Sequence, residues 1–179
     1  MNIKYKFYKM LSIFFGVKYL MKYYRKQGMH IGNDTNIFSK IITSEPYLIS
    51  IGNHSTIATN VTLITHDASI GALNDRNQAS DLCGRIIIGD NCFIGSGAII
   101  MYGVTIPANT IVAAGSVVCK SPEKGGVIIG GNPAKIIGET ELFKNKNYLK
   151  SFSLHGLSLE DRKQKILEEP EKLVKRYNL

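Results

Sequence analysis

Branched aliphatic residues recur at every sixth position along much of this chain, with glycine, polar or small residues between them. An amphipathic helix would repeat near 3.6 residues and a half-buried strand near 2, so neither explains this spacing. The six-residue column comprises Ile51, Ile57, Leu63, Ile88, Ile94, Ile100, Ile106, Val112 and Val118, with Ile31 and Ile37 as a looser early pair.

A second column falls at the fifth position of most blocks, which is small or β-branched: Ser55, Val61, Cys92, Ala98, Val104, Thr110 and Ser116. Six residues suffice for a short strand and a sharp bend, and Gly, Asn and Asp supply bends because they tolerate a positive φ. Three such sides close a coil of about 18 residues, and coils must stack to bury the aliphatic column. The pattern therefore predicts an all-β fold, a parallel β-helix. A β-sandwich would instead need alternation at period 2.

The repeat is interrupted twice within residues 29–138, which we predict to form the β-helix. The column is lost over about 67–85, which predicts a long protruding loop, and long loops in regular scaffolds are usually functional. A shorter excursion covers residues 43–50, "TSEPYLIS". The flanking segments, 1–28 and 139–179, predict short N-terminal and C-terminal helices.

Charge is concentrated at one end of the chain. Of a net charge of +8, residues 1–28 supply seven basic side chains and no acidic one. The body is not basic, and we expect no nucleic-acid partner. The apolar run "MLSIFFGV" lacks a cleavage site and is too short to cross a bilayer, so we expect neither export nor a membrane span. Three cysteines without CxxC spacing argue against a disulfide framework and favour a reducing, cytoplasmic location.

Three stretches carry a resemblance to a known family: "IGNHSTIATNVTLITHD", "IIIGDNCFIGSGAIIMYGVTIPANTIVAAGSVVCK" and "IIGGNPAKIIG". Over roughly residues 29–138 they resemble the hexapeptide-repeat acyltransferases, most of all the O-acetyltransferases of sugars and of capsular or surface polysaccharides. The resemblance implies a left-handed coil and a homotrimer. It also implies acetyl-coenzyme A as co-substrate between neighbouring prisms, and one catalytic histidine.

His66, in "LITHD" at the mouth of the long loop, stands where the catalytic histidine of that family falls. A neutral imidazole can remove the proton of a hydroxyl as the oxygen attacks a thioester. Direct transfer in a ternary complex then needs neither a covalent cysteine nor a metal ion. We interpret His54 as a turn residue and His30 and His155 as surface residues.

Residues eighteen apart stack along one edge of a prism, and small side chains there leave a flat strip for a pantetheine arm. Ser96, Ala114 and Asn132 form such a set. By resemblance, coenzyme contacts fall at Ser96, Ala114 and Cys119. Lys120 and Lys135 come near the same end as candidates for the phosphates, with solvated surface lysines as the alternative.

For the acceptor, Glu45 is predicted to contact sugar hydroxyls and Asp67 to contact the acceptor or to hold the imidazole. A loop-opening role for Asp67 stays open. The residues 67–85 would form a wall of the site.

The function expected is acetyl transfer from acetyl-coenzyme A to a hydroxyl of a sugar or of a capsular or O-antigen polysaccharide unit. The alternative is N-acetylation of a nucleotide-linked amino sugar. A metal enzyme of the γ-carbonic anhydrase type would need three convergent histidines, and His54 and His66 lie on different prism edges. Residues 1–28 either plug the end of the β-helix or contact the inner face of a membrane.

Overall fold

The computed structural model describes residues 3–15, 18–73 and 80–175. They form two compact units, Met1–Thr140 and Glu141–Leu179. Every strand belongs to the first unit, within the described residues.

The strands of the first unit are short, and most hold two or three residues because a bend follows each aliphatic position. They are β1 (His30–Ile31), β2 (Asn36–Ile37), β3 (Ile49–Ile51), β4 (Thr56–Ile57), β5 (Thr62–Leu63), β6 (His66–Asp67), β7 (Leu82–Cys83), β8 (Ile86–Ile88), β9 (Phe93–Ile94), β10 (Ile99–Ile100), β11 (Thr105–Ile106), β12 (Ile111–Val112), β13 (Val117–Val118), β14 (Val127–Gly131) and β15 (Ala134–Glu139).

Three sheets form the sides of a triangular prism, with strand orders β1-β3-β8-β11, β13-β10-β5 and β15-β14-β12-β9-β4-β2. Within them, neighbouring strands are parallel, except for the antiparallel pair β14–β15. Ile100 pairs with Val118 and Ile88 with Ile106, so one coil takes eighteen residues. The parallel β-helix predicted from the six-residue period is confirmed.

Both columns lie in the core. The branched residues of the first column are buried, and so are the small residues of the second, which fill the corners of the prism. Corner hydroxyls bridge successive coils: Ser55 Oγ donates to the carbonyl of Gly89 at 2.8 Å and accepts from the N–H of Cys92 at 3.0 Å. A small side chain at each corner is thus required by space, and at Ser55 hydrogen bonding adds to that requirement.

The two excursions leave the prism side by side. Residues 38–48 precede β3 and residues 64–85 precede β8, and β3 and β8 are neighbours in one sheet. The paired residues Ile37 and Ile57 are twenty positions apart, and Ile57 and Ile94 are thirty-seven apart, instead of eighteen. The predicted loop 67–85 contains the antiparallel pair β6–β7 and the short helix α3 (Ser69–Leu73). Its residues 74–79 lie outside the described part.

Two helices precede the coils, α1 (Ile3–Phe15) and α2 (Lys18–Lys26). Leu20, Met21 and Tyr24 of α2 are buried in the same core as the first coil. The Tyr24 hydroxyl donates to the carbonyl of Ser39 at 3.1 Å and accepts from the N–H of Ile41 at 3.0 Å. Helix α2 therefore closes the first end of the prism.

The second unit is helical, with α4 (Thr140–Asn147), which begins at the end of the first unit, and α5 (Leu159–Glu168). Single 3₁₀ turns cover Tyr148–Lys150 and Pro170–Lys172. Ser158 caps α5, because its hydroxyl accepts from the N–H of Asp161 at 3.1 Å. None of the helices in the described ranges combines the length and apolarity that crossing a bilayer requires.

Candidate active site

His66 lies at the corner where both excursions leave the prism. It opens β6 and is paired in register with Cys83 of β7. The corner is fixed behind it, because the N–H of Gly84 donates to the carbonyl of Thr65 at 3.0 Å. The His66 side chain is 39% exposed, so one side of the ring is held by protein and the other can meet a ligand.

Glu45 holds the imidazole. Its Oε2 lies 2.8 Å from Nδ1 of His66, and the Glu45 side chain is only 18% exposed. A carboxylate can only accept a hydrogen bond, so Nδ1 carries the proton. In the neutral ring, the lone pair is therefore on Nε2, which is the nitrogen free to act as a base.

The Glu45 carboxylate is itself fixed by two threonines. Thr65 Oγ1 donates to Oε2 at 2.8 Å, and Thr43 Oγ1 lies 3.3 Å from the same oxygen. The N–H of Glu45 donates to Thr43 Oγ1 at 3.0 Å. Thr43 and Glu45 belong to the first excursion, and Thr65 and His66 belong to the second. These hydrogen bonds therefore join the two segments and hold the Glu45 carboxylate in place.

The pKa values of the pair are shifted in opposite directions. The hydrogen bond and charge of Glu45 raise the pKa of His66 above its ordinary 6.5, against a smaller lowering by burial. The hydrogen bond from His66, followed by that from Thr65, lowers the pKa of Glu45. Each partner favours the charged form of the other, so an imidazolium formed at this position would be stabilised.

Asp67 organises the start of the loop. Its Oδ1 accepts from the N–H of Ser69 at 2.8 Å, and its Oδ2 accepts from the hydroxyl of Tyr102 at 3.3 Å. The Ser69 N–H is the main cause of the lowered pKa of Asp67. Burial raises the pKa of Tyr102, and the Asp67 charge adds to that rise. These contacts are those expected of a residue that opens the loop. Asp67 is also the residue that follows His66 in the sequence.

Ser96 and Ala114 are stacked at a different corner, formed by residues 58–61, 95–98 and 113–116, which we call the Ser96 corner. The Ser96 carbonyl accepts from the N–H of Gly115 at 2.9 Å. A Cβ on Gly95 would lie 2.6 Å from the backbone nitrogen of Ala114, so glycine is required for this approach. The result is an exposed, flat ladder of backbone. Asn132, the third member predicted, lies beyond β14 in the turn before β15.

The remaining predicted coenzyme residues divide between two places. Cys119 and Lys120 follow β13 directly, and His66 lies three residues after the end of β5. Both strands belong to the three-stranded sheet. We call this edge, formed by residues 64–66, 101–104 and 119–121, the His66 corner. Lys135 is in β15, paired with Gly130. In one chain, Cys119 and Lys120 therefore share an edge with His66, whereas the Ser96 corner lies across the width of that sheet.

Sequence reasoning missed the partners that fix the imidazole. It assigned Glu45 to the acceptor, whereas the described contacts of Glu45 go to His66, Thr65 and Thr43. Glu45 precedes His66 by 21 positions, and no local motif links them. The signal available was indirect, since both residues belong to interruptions of the repeat.

The other histidines lie elsewhere. His54 lies at a corner of the prism, where its φ is 53°. Its Nδ1 is 3.7 Å from Oδ2 of Asp34, and both side chains are exposed. His30 and His155 are exposed. Among the residues that the structure describes, no three His, Cys, Asp or Glu side chains are grouped to hold a metal ion.

Comparison with known proteins gives three informative similarities. A family model described as the hexapeptide repeat of succinyl-transferase matches residues 85–120. Protein CapG of Staphylococcus aureus is 41% identical over 137 residues, which cover 72% of this chain and 79% of CapG. WcaF of Escherichia coli, named as an acetyltransferase of colanic acid biosynthesis, is 30% identical over 63% of this chain and 70% of its own length.

A solved structure extends these similarities to the fold. A galactoside acetyltransferase in complex with coenzyme A superimposes with a TM-score of 0.57 and 32% identity. The match covers 66% of this chain and 58% of the galactoside enzyme, so the chain spans less than two thirds of that enzyme's length.

Proposed function

Because the chain belongs to the hexapeptide-repeat acetyltransferases, enzymes with a left-handed parallel β-helix that use acetyl-coenzyme A, we propose that its acceptor is a hydroxyl on a sugar unit of a surface polysaccharide. The contact between His66 Nδ1 and Glu45 carries the proposal, because it leaves a base at the mouth of the loop. A relative named for colanic acid biosynthesis and a galactoside enzyme support the acceptor class.

His66 acts as the general base. The thioester supplies an acetyl group that is already activated for transfer. Nε2 of His66 removes the proton of the acceptor hydroxyl as its oxygen attacks the thioester carbonyl carbon, and the resulting imidazolium returns that proton to the departing sulfur. The C–O bond forms and the C–S bond breaks, so the chemistry balances without a covalent enzyme intermediate or a metal ion.

Glu45 positions the base and stabilises its charged form. The 2.8 Å contact keeps the proton on Nδ1, which reserves Nε2 for the acceptor. When the ring takes up a second proton, the charge lies directly against the carboxylate. Asp67 remains a candidate for acceptor contact, beside the loop 67–85, while its bonds to Ser69 and Tyr102 hold it in place.

The coenzyme is proposed to lie between two chains of a homotrimer. The Ser96 corner is separated from the His66 corner by the three-stranded sheet, so a single chain does not bring Ser96 and Ala114 to the imidazole. A neighbouring prism can do so if its Ser96 corner faces the His66 corner. Cys119 and Lys120 would then line the same groove, and Lys135 would be placed toward the phosphates.

We expect thiol release from acetyl-coenzyme A when the purified protein is given hydroxyl-bearing sugars or polysaccharide fragments. The product should be an alkali-labile ester, detected by mass spectrometry before and after mild base. Matched amino sugars serve as the control, because the same scaffold could acetylate an amine. An alkali-stable amide as the sole product would replace O-acetylation with N-acetylation, and no transfer to any sugar would remove the acceptor class.

Glu45→Gln should move the acid limb of the pH–rate profile to lower pH. The base works only when neutral, so kcat/KM decreases as the pH falls through the pKa of His66. Glu45 raises that pKa. Removing the carboxylate charge lowers that pKa, and the midpoint of the fall should follow. Asp67→Asn is the matched control: Asp67 has a smaller influence on His66, so its shift should go in the same direction by less. An unmoved acid limb in Glu45→Gln would exclude the pairing as the cause.

A further inference from the structure

Helix α1 presents an apolar surface to solvent. Ile3, Phe7 and Met10 are 82%, 53% and 48% exposed. Their spacing of i, i+4 and i+7 places them on one side of the helix, and we call this side the outer face of α1. A stripe of large apolar side chains in this arrangement is typical of a helix whose apolar side is buried against another apolar surface, such as the boundary of a lipid bilayer.

Both helices of the N-terminal segment are basic. Lys4 and Lys6 are exposed on the same helix, and residues 1–28 contain no acidic side chain. On α2, Lys22, Arg25 and Lys26 line a groove of about 620 Å³ together with Tyr19. The partner that suits this surface therefore combines an apolar layer with negative charge.

The two helices have different tasks. Helix α2 is fixed to the prism through its buried residues and through Arg25, whose guanidinium donates to the carbonyls of Ile31 and Gly32. Helix α1 is joined to α2 by Tyr8, which lies 5.6 Å from the ring of Tyr23 and accepts from Lys26 Nζ at 3.0 Å. Helix α2 thus closes the end of the prism, and the outer face of α1 stays exposed.

We infer that the α1–α2 hairpin docks the protein on the surface of a bilayer that contains anionic lipid. Ile3, Phe7 and Met10 enter the boundary between headgroups and acyl chains, and the lysines lie against lipid phosphates. The helix lies in the plane of the interface and does not cross the membrane, in agreement with its length. This interaction goes beyond the proposed acetyl transfer and is independent of it.

The test is sedimentation of the full-length protein with lipid vesicles. We expect binding to vesicles of phosphatidylcholine with about 30% phosphatidylglycerol and at least tenfold weaker binding to pure phosphatidylcholine. Raising the salt concentration from about 0.1 to 0.5 M should reduce the bound fraction, because the Debye length shortens. Equal binding to both vesicle types, or binding to neither, would overturn the inference.

Two variants with matched controls locate the contact. Phe7→Ser should weaken vesicle binding about tenfold, whereas Phe143→Ser, at a similarly exposed phenylalanine in the second unit, should not. Lys6→Glu should weaken it about 10- to 30-fold and Lys146→Glu should not. Transfer to a soluble acceptor should be unchanged in all four. If Phe7→Ser alters the oligomeric state and leaves vesicle binding intact, the outer face contacts a second copy of the chain and the inference is wrong.

Discussion

Replacing His66 with alanine should lower kcat for acetyl transfer by about 10²–10⁴-fold, the usual contribution of a positioned general base. A sugar hydroxyl has too high a pKa to attack the thioester unaided at neutral pH, and Nε2 is the nitrogen that Glu45 leaves available. The KM for acetyl-coenzyme A should change little. Thiol release under saturating substrate gives kcat, and binding of coenzyme A to the variant checks that the site is intact.

The matched control for this substitution is His54→Asn. His54 also occupies a corner of the prism, and asparagine tolerates its φ of 53°, so the backbone should be undisturbed. Because His54 lies away from the His66 corner, the variant should keep the wild-type rate. Neither substitution removes a core residue, and thermal unfolding should show little change. A His66→Ala enzyme within tenfold of wild type would contradict the role of the imidazole.

Ala114→Trp should raise the KM for acetyl-coenzyme A at least about 100-fold, because a large side chain would block the flat strip at the Ser96 corner. When the Ala114→Trp variant is assembled into trimers with the His66→Ala variant, however, activity should be recovered. If each site uses His66 of one chain and Ala114 of the next, every trimer that contains both variants has both native residues at one of its three sites. Two variants that are each nearly inactive would then give mixed trimers with about a third of the wild-type rate.

The mixing experiment uses two affinity tags on co-expressed variants, so that mixed oligomers are isolated before assay. Asn33→Trp is the control, since Asn33 is an exposed corner residue away from both proposed faces of the groove. It should leave the KM for the co-substrate near the wild-type value. Mixed oligomers that form without recovering activity would show that the site lies within one chain, and the shared groove would be abandoned.

The prism could be predicted from the sequence because its rules are local and repeated. Each side needs one branched residue pointing inward, and each corner needs one small residue, so two columns of residue types specify the coil. The registers of Ile88 with Ile106 and of Ile94 with Val112 follow directly. The prediction of His66 as the catalytic histidine had a different basis, since it rested on the resemblance of "LITHD" to the family and not on the repeat.

The roles of the two N-terminal helices depend on tertiary packing. The sequence offered a plug and a membrane contact as alternatives for the whole of residues 1–28, because both need a basic amphipathic segment. The structure divides the segment: Leu20, Met21 and Tyr24 are buried by the first coil, whereas Ile3, Phe7 and Met10 remain exposed. Burial depends on which turn of the chain reaches the open end of the prism, and composition does not encode that.

The partners of His66 were decided by the tertiary structure alone. Glu45 precedes His66 by 21 positions and shares no local motif with it, so residue types could suggest Glu45 as a carboxylate for sugar hydroxyls but not as the support of an imidazole. Glu45 and His66 meet because β3 stacks on β8, which brings both excursions to one corner. By itself, the six-residue period determined the coil, since every block repeats the same local requirement. The orientation of the base was set only when the coils stacked, because its contacts join segments that only the packing of neighbouring strands brings together.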